Sequence, residues 1–301
     1  MPTVLVTGGT GLIGKRLCEK LKDAGFDVAI LSQVRYNKSE FPIFYWNWQK
    51  EEMDEIAIKN SDFIIHLAGA NIAGNRWSPE RKKLIVDSRV KSAAFLHRKI
   101  KELNISPKAF ISASAVGYYG AITTHKVFRE VDTPANDFLG MTCQLWEEAS
   151  AKAFDPRIRT VQLRTGVVLT PSGGALAKMM QPIKLGFGAA LGSGKQSMPW
   201  IHVDDLCAMY IKAISDVKMH GAYNATSPNN ETSKTMTKAI AKSMGKWIWL
   251  PNIPGFILKI IFGEMAEMFL FGSKVSSTKI LDTGFEFRYP KLKDALRDLM
   301  R

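Results

Sequence analysis

The sequence predicts an α/β fold: a doubly wound parallel sheet with a smaller, helix-rich C-terminal lobe. Three observations predict it. Short apolar runs alternate with longer segments of helical spacing from the first residues onward, the rhythm of a parallel sheet covered on both faces. A glycine-rich turn joins the first strand to the first helix. After Leu169 the rhythm breaks, and glycine-rich and then helical segments replace the strands. With 301 residues, 46% hydrophobic and 23% charged, the chain has the make-up of a soluble, well-cored protein, which excludes disorder and small disulfide-stapled scaffolds.

Thr3–Val6 is predicted as a buried strand, Leu12–Ala24 as a helix ended by Gly25, and DVAIL (27–31) and DFIIHL (62–67) as the next strands. A long basic helix is expected from Trp77 to Leu103, with Ser78 as N-cap and Pro79 in its first turn. A strand from Lys108 to Ala113, a helix from Asp137 to Phe154 and a strand from Thr160 to Arg164 follow. Residues 170–194 read as loop plus short helix, and WIHVDDL (200–206) as the start of another helix with Asp204 or Asp205 capping it. The division expected is a nucleotide-binding domain over 1–170, with 200–220 returning to it, and a smaller lobe over 171–199 and 221–301. The apolar stretch 253–272 carries Lys259, Glu264 and Glu267, so it reads as an amphipathic, partly buried pair of helical segments and not as a membrane span.

Lys and Arg number 41 against 28 Asp and Glu, a net +13. Residues 74–108 alone hold ten cations against Glu80, Asp87 and Glu102, a surplus of +7. No nucleic-acid-binding motif accompanies this patch, so a solvated helix face is expected, with an arginine or two turned toward an anionic cofactor. Cys18, Cys143 and Cys207 lie far apart without a CxxC pair, and the five histidines lack metal spacing, so no metal site is expected. The unpaired thiols and the absence of an export signal suit a cytoplasmic protein.

Gly9, Gly11 and Gly14 satisfy GxGxxG, and Gly8, Gly11 and Gly14 form GxxGxxG, directly after an apolar strand and at the head of a helix. Such glycines let backbone approach a pyrophosphate, and the helix start offers free N–H groups and partial positive charge. This is a Rossmann-type dinucleotide turn. The second strand ends in LSQVR (31–35), without the carboxylate that holds the ribose hydroxyls of NAD. Ser32, Gln33 and Arg35 can instead donate to a 2′-phosphate, so NADP is the expected cofactor.

TGGTGLIG, HLAG (66–69), SASAVGYYG (112–120) and WIHVDD occur in an order that resembles the extended, sugar-nucleotide-epimerase-like branch of the short-chain dehydrogenase/reductase superfamily. RWSPERKKLIVDSRV (76–90), RTGVVL (164–169), GGAL, LGSGKQ and GFEFRYP (284–290) narrow the resemblance to an atypical epimerase-family subgroup, which implies an NADP-dependent oxidoreductase. The resemblance implies a pyrophosphate site at Thr7, Gly8, Gly9, Thr10, Gly11, Leu12, Ile13 and Gly14. It places Ser32 and Gln33 at the adenosine ribose, and Leu67, Ala68, Gly69 and Val168 along the cofactor. Ser114 stands at or beside the catalytic serine, with Ala115 the other candidate for that slot.

The superfamily's YxxxK pair is missing. Its two positions fall on Leu139 and Cys143 in FLGMTCQLWE. Leu139 has no proton to give, and Cys143 is not a fixed cation. The only literal YxxxK, Tyr289 to Lys293, lies in a proline-containing tail and is read as coincidence. Arg89 aligns with the superfamily's helix asparagine and can replace the lost cation. Tyr118 and Tyr119 are candidate proton donors at the strand's end. An NADP-dependent oxidoreductase acting on an unidentified small molecule is the leading reading. A non-catalytic NADP(H)-binding sensor or scaffold is the alternative, and a sugar-nucleotide epimerase ranks below both. A homodimer is left open.

Overall fold

The computed structural model describes residues 1–34, 39–151 and 157–300. Strand β1 (Thr3–Thr7) passes through the glycine turn into helix α1 (Leu12–Asp23), followed by β2 (Asp27–Ser32), β3 (Ile43–Asn47), the short β4 (Glu52–Met53), α2 (Ile56–Lys59) and β5 (Phe63–His66). Then come α3 (Pro79–Glu102), β6 (Ala109–Ala115), β7 (Val127–Phe128), α4 (Phe138–Ala151), β8 (Arg159–Thr165), β9 (Val167–Leu169) and α5 (Gly174–Lys184). The rest comprises β10 (Ser197–Met198), β11 (Trp200–His202), α6 (Val203–Ser215), β12 (Gly221–Ala225), β13 (Glu231–Thr232), α7 (Ser233–Ser243), α8 (Gly255–Phe262), α9 (Glu267–Leu270), β14 (Lys274–Val275), α10 (Thr278–Leu281) and α11 (Leu292–Leu299).

The central sheet runs β12-β8-β6-β5-β1-β2-β3-β4, parallel throughout except for the β3–β4 hairpin. Its order reverses between β1 and β5, and at that switch point the carboxyl ends of the strands leave a crevice. Val4, Val6, Ile65 and Ile111 point to one face, where Leu17 and Leu21 of α1 and Leu206 and Tyr210 of α6 cover them. Leu5, Ile64 and Phe110 point to the other, under Phe95, Leu96 and Ile100 of α3. A third core joins Leu176, Met236, Ile240 and Leu296 of α5, α7 and α11 around the buried Trp200.

Ser78 caps α3 as expected, its Oγ accepting from the Arg81 amide at 3.2 Å. Other expectations are corrected. Gly221–Ala225, assigned to the lobe, is the edge strand of the main sheet, pairing with β8 from Gly221–Val161 to Ala225–Thr165. GAYNA lacks an apolar run, but the buried Asn224 side chain is satisfied by the Ser276 carbonyl at 2.9 Å and by the Tyr119 hydroxyl at 2.7 Å. IFYWN (43–47) is also a strand that alternation did not reveal. Trp200–His202 is strand, and neither Asp204 nor Asp205 caps α6. The cap is His202, whose Nδ1 accepts from the Asp204 amide at 3.1 Å.

Candidate functional site

Four strand ends meet at the switch point. Gly8 has φ of +71°, open only to glycine at low cost, and it lies against the Leu67–Ala68 peptide. A Cβ on Gly14 would stand 2.1 Å from the Gly8 carbonyl oxygen, so that position too must be glycine. A Cβ on Gly11 would meet only the same oxygen, at 3.2 Å, and otherwise enter open space. Gly11 begins α1 without a side-chain cap, and no acid occupies the first turn. The α1 amides at Leu12, Ile13 and Gly14 therefore open a positively polarised helix start toward the crevice. Leu12 is exposed and rests near Gly173 and Gly174 at the start of α5, while Ile13 packs toward the α1/α6 core, which Val168 also touches. Thr10 lies half-buried in the turn.

Thr7 faces the other way. The Ala68 amide donates to Thr7 Oγ1 at 3.2 Å, and Thr7 Oγ1 lies 2.7 Å from His66 Nδ1. His66 Nε2 lies 3.0 Å from Ser92 Oγ, which donates to the Ser88 carbonyl at 2.7 Å. Protons assigned along this chain put the His66 proton on Nε2 and pin β1, β5 and α3 to one another. Burial lowers the His66 pKa to about 3, with the Arg89 charge as a second cause, so the ring is neutral.

Arg89 comes up from α3 beside this knot. Its Nη1 donates to the carbonyls of Ala70 at 3.1 Å and Ile85 at 2.9 Å, and its guanidinium lies 4.9 Å from the Trp146 ring centre. A Cβ on Gly69 would stand 3.2 Å from Arg89 Cζ, so this glycine lets the cation approach the end of β5. Burial lowers the Arg89 pKa to about 10, and no carboxylate contributes to its charge among the described residues. The rest of the basic helix behaves differently. Lys83 and Lys91 pair with Asp87, Lys99 with Glu55 and Glu102, and Arg98 with Glu51, forming a solvated ion-pair face.

Leu139 and Cys143 line the side of α4 that faces Gly117, and both are buried. Burial pushes the Cys143 thiol up to about 12, which removes it as a nucleophile. One turn further, at the same i+4 spacing, stands Glu147, which the sequence reading passed over. Ser114 Oγ donates to Glu147 Oε1 at 2.6 Å, and Arg164 clamps both carboxylate oxygens at 2.8 Å. Arg164 also donates to the Tyr119 hydroxyl at 3.0 Å, and that hydroxyl donates to Asn224 Oδ1 at 2.7 Å. Tyr119 is thus buried and bonded on both sides, its pKa raised by burial to about 12. Tyr118 is half-buried, with the Arg164 guanidinium 3.4 Å from its ring centre, and burial raises its pKa as well.

Ser32 is buried at the end of β2, where its Oγ accepts from the Val34 amide at 3.1 Å, and Gln33 is exposed. Arg35 lies outside the described residues. Tyr289 of the chance YxxxK is buried on His202, ring centres 4.0 Å apart, in the C-terminal core. Among the described residues no cluster of His, Cys, Asp or Glu could hold a metal ion.

The NAD dependent epimerase/dehydratase family matches residues 4–226. The chain belongs to this family. A domain of unknown function, DUF1731, matches residues 253–299. The chain is 36% identical to the Epimerase family protein SDR39U1 homolog, chloroplastic, of Arabidopsis thaliana, over 99% of this chain and 87% of that one. It is 33% identical to an epimerase family protein of Staphylococcus aureus over 100% of both chains. The crystal structure of human epimerase family protein SDR39U1 (isoform2) with NADPH superposes with a TM-score of 0.89 at 30% identity, covering 99% of this chain and 98% of that one. The atypical extended branch suggested by the signature segments is therefore the right one, and its Rossmann-like sheet and helical C-terminal region are as expected.

Proposed function

We propose that this family member binds NADP(H) across the carboxyl edge of its sheet and serves as an oxidoreductase for a small molecule, with Arg89 in place of the superfamily's lysine. The observation that carries the proposal is the Arg89 guanidinium: desolvated, without a carboxylate, and packed on Gly69 beside the Leu139/Cys143 positions. A half-buried, largely desolvated cation left without an anion by its own protein is best explained by an anion or a hydroxyl-bearing group of a ligand.

The residues present fit the dinucleotide. The turn Gly8–Gly14 is shaped so that a Cβ fills it at Gly14 and only open space lies beyond Gly11, the room a pyrophosphate needs. Ser32 and Gln33, with Arg35 on sequence grounds, would hold the 2′-phosphate, and Leu67, Ala68, Gly69, Ile13 and Val168 would line the cofactor. The human relative crystallised with NADPH supports the same cofactor. Bound NADP(H) supplies hydride chemistry; the chain's residues orient it and manage protons. Ser114 and Tyr119 donate their hydroxyl protons inside the Glu147–Arg164–Asn224 network and hold that wall in place. Tyr118 keeps its proton at neutral pH and is the candidate donor to a substrate oxygen. Epimerisation at a carbinol is disfavoured, because an aliphatic Leu139 stands where the base is needed.

The committed hydroxyls of Ser114 and Tyr119 favour a second reading, an NADP(H)-binding sensor or scaffold without turnover. Fluorescence titration tests the cofactor assignment: NADPH should bind about ten- to a hundredfold more tightly than NADH, the worth of one charge-assisted contact, and equal affinities would refute it. A metabolite panel followed by NADPH absorbance then separates the enzyme from the sensor, since only the enzyme consumes NADPH.

A further inference from the structure

We propose that the C-terminal lobe is a peripheral membrane-binding module that docks onto anionic lipid surfaces, through an apolar edge rimmed by lysines. Trp247 is 90% and Trp249 71% exposed, an unusual placement for side chains this large. The Trp249 indole donates to the Gly186 carbonyl at 3.1 Å, and Ile248 packs where a Cβ on Gly188 would stand. These contacts bring the two tryptophans beside the exposed Leu185 and Phe187. The strand-like run that follows bonds the Ile253 amide to the Ala190 carbonyl at 2.8 Å, then delivers α8. In α8 only Leu258 is buried, and Phe256, Ile260 and Ile261 face solvent. The stretch expected to be a partly buried amphipathic pair thus leaves its first helix largely uncovered.

The charge of the same segments selects the occupant. Residues 171–200 and 232–263 contain eight lysines, no arginine and no aspartate or glutamate. All eight lysines are exposed, among them Lys242 and Lys246 just before Trp247, and Lys259 within α8. A cavity of about 280 Å³ beside Ile248 is lined by Lys234, Lys238, Thr237 and Asn252, polar groups suited to a lipid phosphate. Exposed Trp and branched aliphatic side chains among lysines are the make-up of interfacial membrane segments, in which the rings and aliphatic groups enter the headgroup boundary and the ammonium groups meet anionic lipid. A second copy is disfavoured, since a two-fold contact would set these lysines against one another. A nucleic acid offers phosphates but no apolar phase for Ile260 and Ile261. No helix among the described residues is long and apolar enough to cross a membrane, so docking would be on the surface.

Flotation of the full chain with lipid vesicles tests this. With about one-third phosphatidylglycerol in phosphatidylcholine, the protein should float, and with phosphatidylcholine alone binding should fall at least about tenfold. Trp247→Ser with Trp249→Ser should lower flotation on the anionic vesicles about tenfold or more, as should Lys242→Glu with Lys246→Glu. The lysine pair is solvent-facing and carries the test even if the tryptophan variant misfolds. Absence of flotation on anionic vesicles, or wild-type flotation by the lysine variant, overturns the proposal. So does a dimer in sedimentation equilibrium that the tryptophan substitutions dissolve, because a second copy would then cover the edge.

Discussion

His66 shows how a residue of a motif that lines the expected cofactor crevice can be structural. It sits in HLAG beside the crevice, yet both ring nitrogens are bonded, to Thr7 and Ser92, and it has no exposed surface. Its folded pKa of about 3 lies below the ordinary value of 6.5, so protonation favours the unfolded chain. The stability His66 confers is complete above about pH 6.5 and is lost as pH falls toward 3, at about 1.4 kcal/mol per pH unit in that window. Urea unfolding at pH 7 and pH 5 should therefore show a steeper loss in the wild type than in His66→Gln, whose side chain does not titrate; parallel losses would mean that the ring is not held neutral. Glu147 makes the complementary point. It stands one turn beyond the dyad positions 139 and 143, a carboxylate on the same helical stripe. That spacing was the available signal; its clamp by Arg164, seventeen residues further along the chain on β8, was not.

At the scale of elements, the glycine turn was legible because its chemistry is local. GxGxxG between an apolar strand and a helix admits few other structures, and the turn's φ and contacts follow. The lobe-assigned β12 and the short β3 were not legible, because their polar or aromatic residues become strand-like only against neighbours: Asn224 needs Ser276 and Tyr119, and Tyr45 needs the Asp54 carboxylate that accepts from its amide at 2.7 Å. The same locality separates two glycines. Gly14→Ala would press a methyl onto the Gly8 carbonyl and Gly9 Cα, 2.1 and 2.7 Å away, and should destabilise the fold by about 1–3 kcal/mol in urea unfolding. Gly11→Val meets only the Gly8 carbonyl, at 3.2 Å from its Cβ, so it should cost no more than about 1–2 kcal/mol of stability and still fold while losing NADPH binding. A Gly11→Val protein that binds NADPH normally would show the pyrophosphate to lie elsewhere.

Across the whole molecule, the signature segments WIHVDD and GFEFRYP turn out to be two halves of one joint. The buried Asp205 carboxylate accepts from the Arg288 amide at 2.8 Å and the Tyr289 amide at 3.0 Å, fastening the tail to the first turn of α6. Its neighbour Asp204 clamps Arg16 of α1 at 2.7 and 2.8 Å. Two adjacent acids read as alternative helix caps thus bind different elements, a distinction that exists only after folding. Asp205→Ala leaves two amides without an acceptor, that of Tyr289 buried and that of Arg288 partly so, and should cost about 2–4 kcal/mol, with the tail becoming more susceptible to limited proteolysis before the sheet does. Unchanged stability and unchanged cleavage would mean that the tail is held by its apolar contacts alone. The +13 surplus divides likewise: much of the 74–108 segment is paired with local acids, whereas Arg89 is not.

Arg89 is therefore where the proposed function is most exposed to test. Isothermal titration with NADPH at moderate salt compares Arg89→Ala with Lys83→Ala, a truncation on the same helix at a solvated residue paired with Asp87. A desolvated cation that meets the cofactor should be worth about 2 kcal/mol or more, so Arg89→Ala should weaken binding at least about tenfold. Lys83→Ala should change it little, because exposed charges at a distance are screened. Equal, small effects from the two substitutions would contradict the replacement of the missing lysine by Arg89 and leave the Leu139/Cys143 positions without a cation.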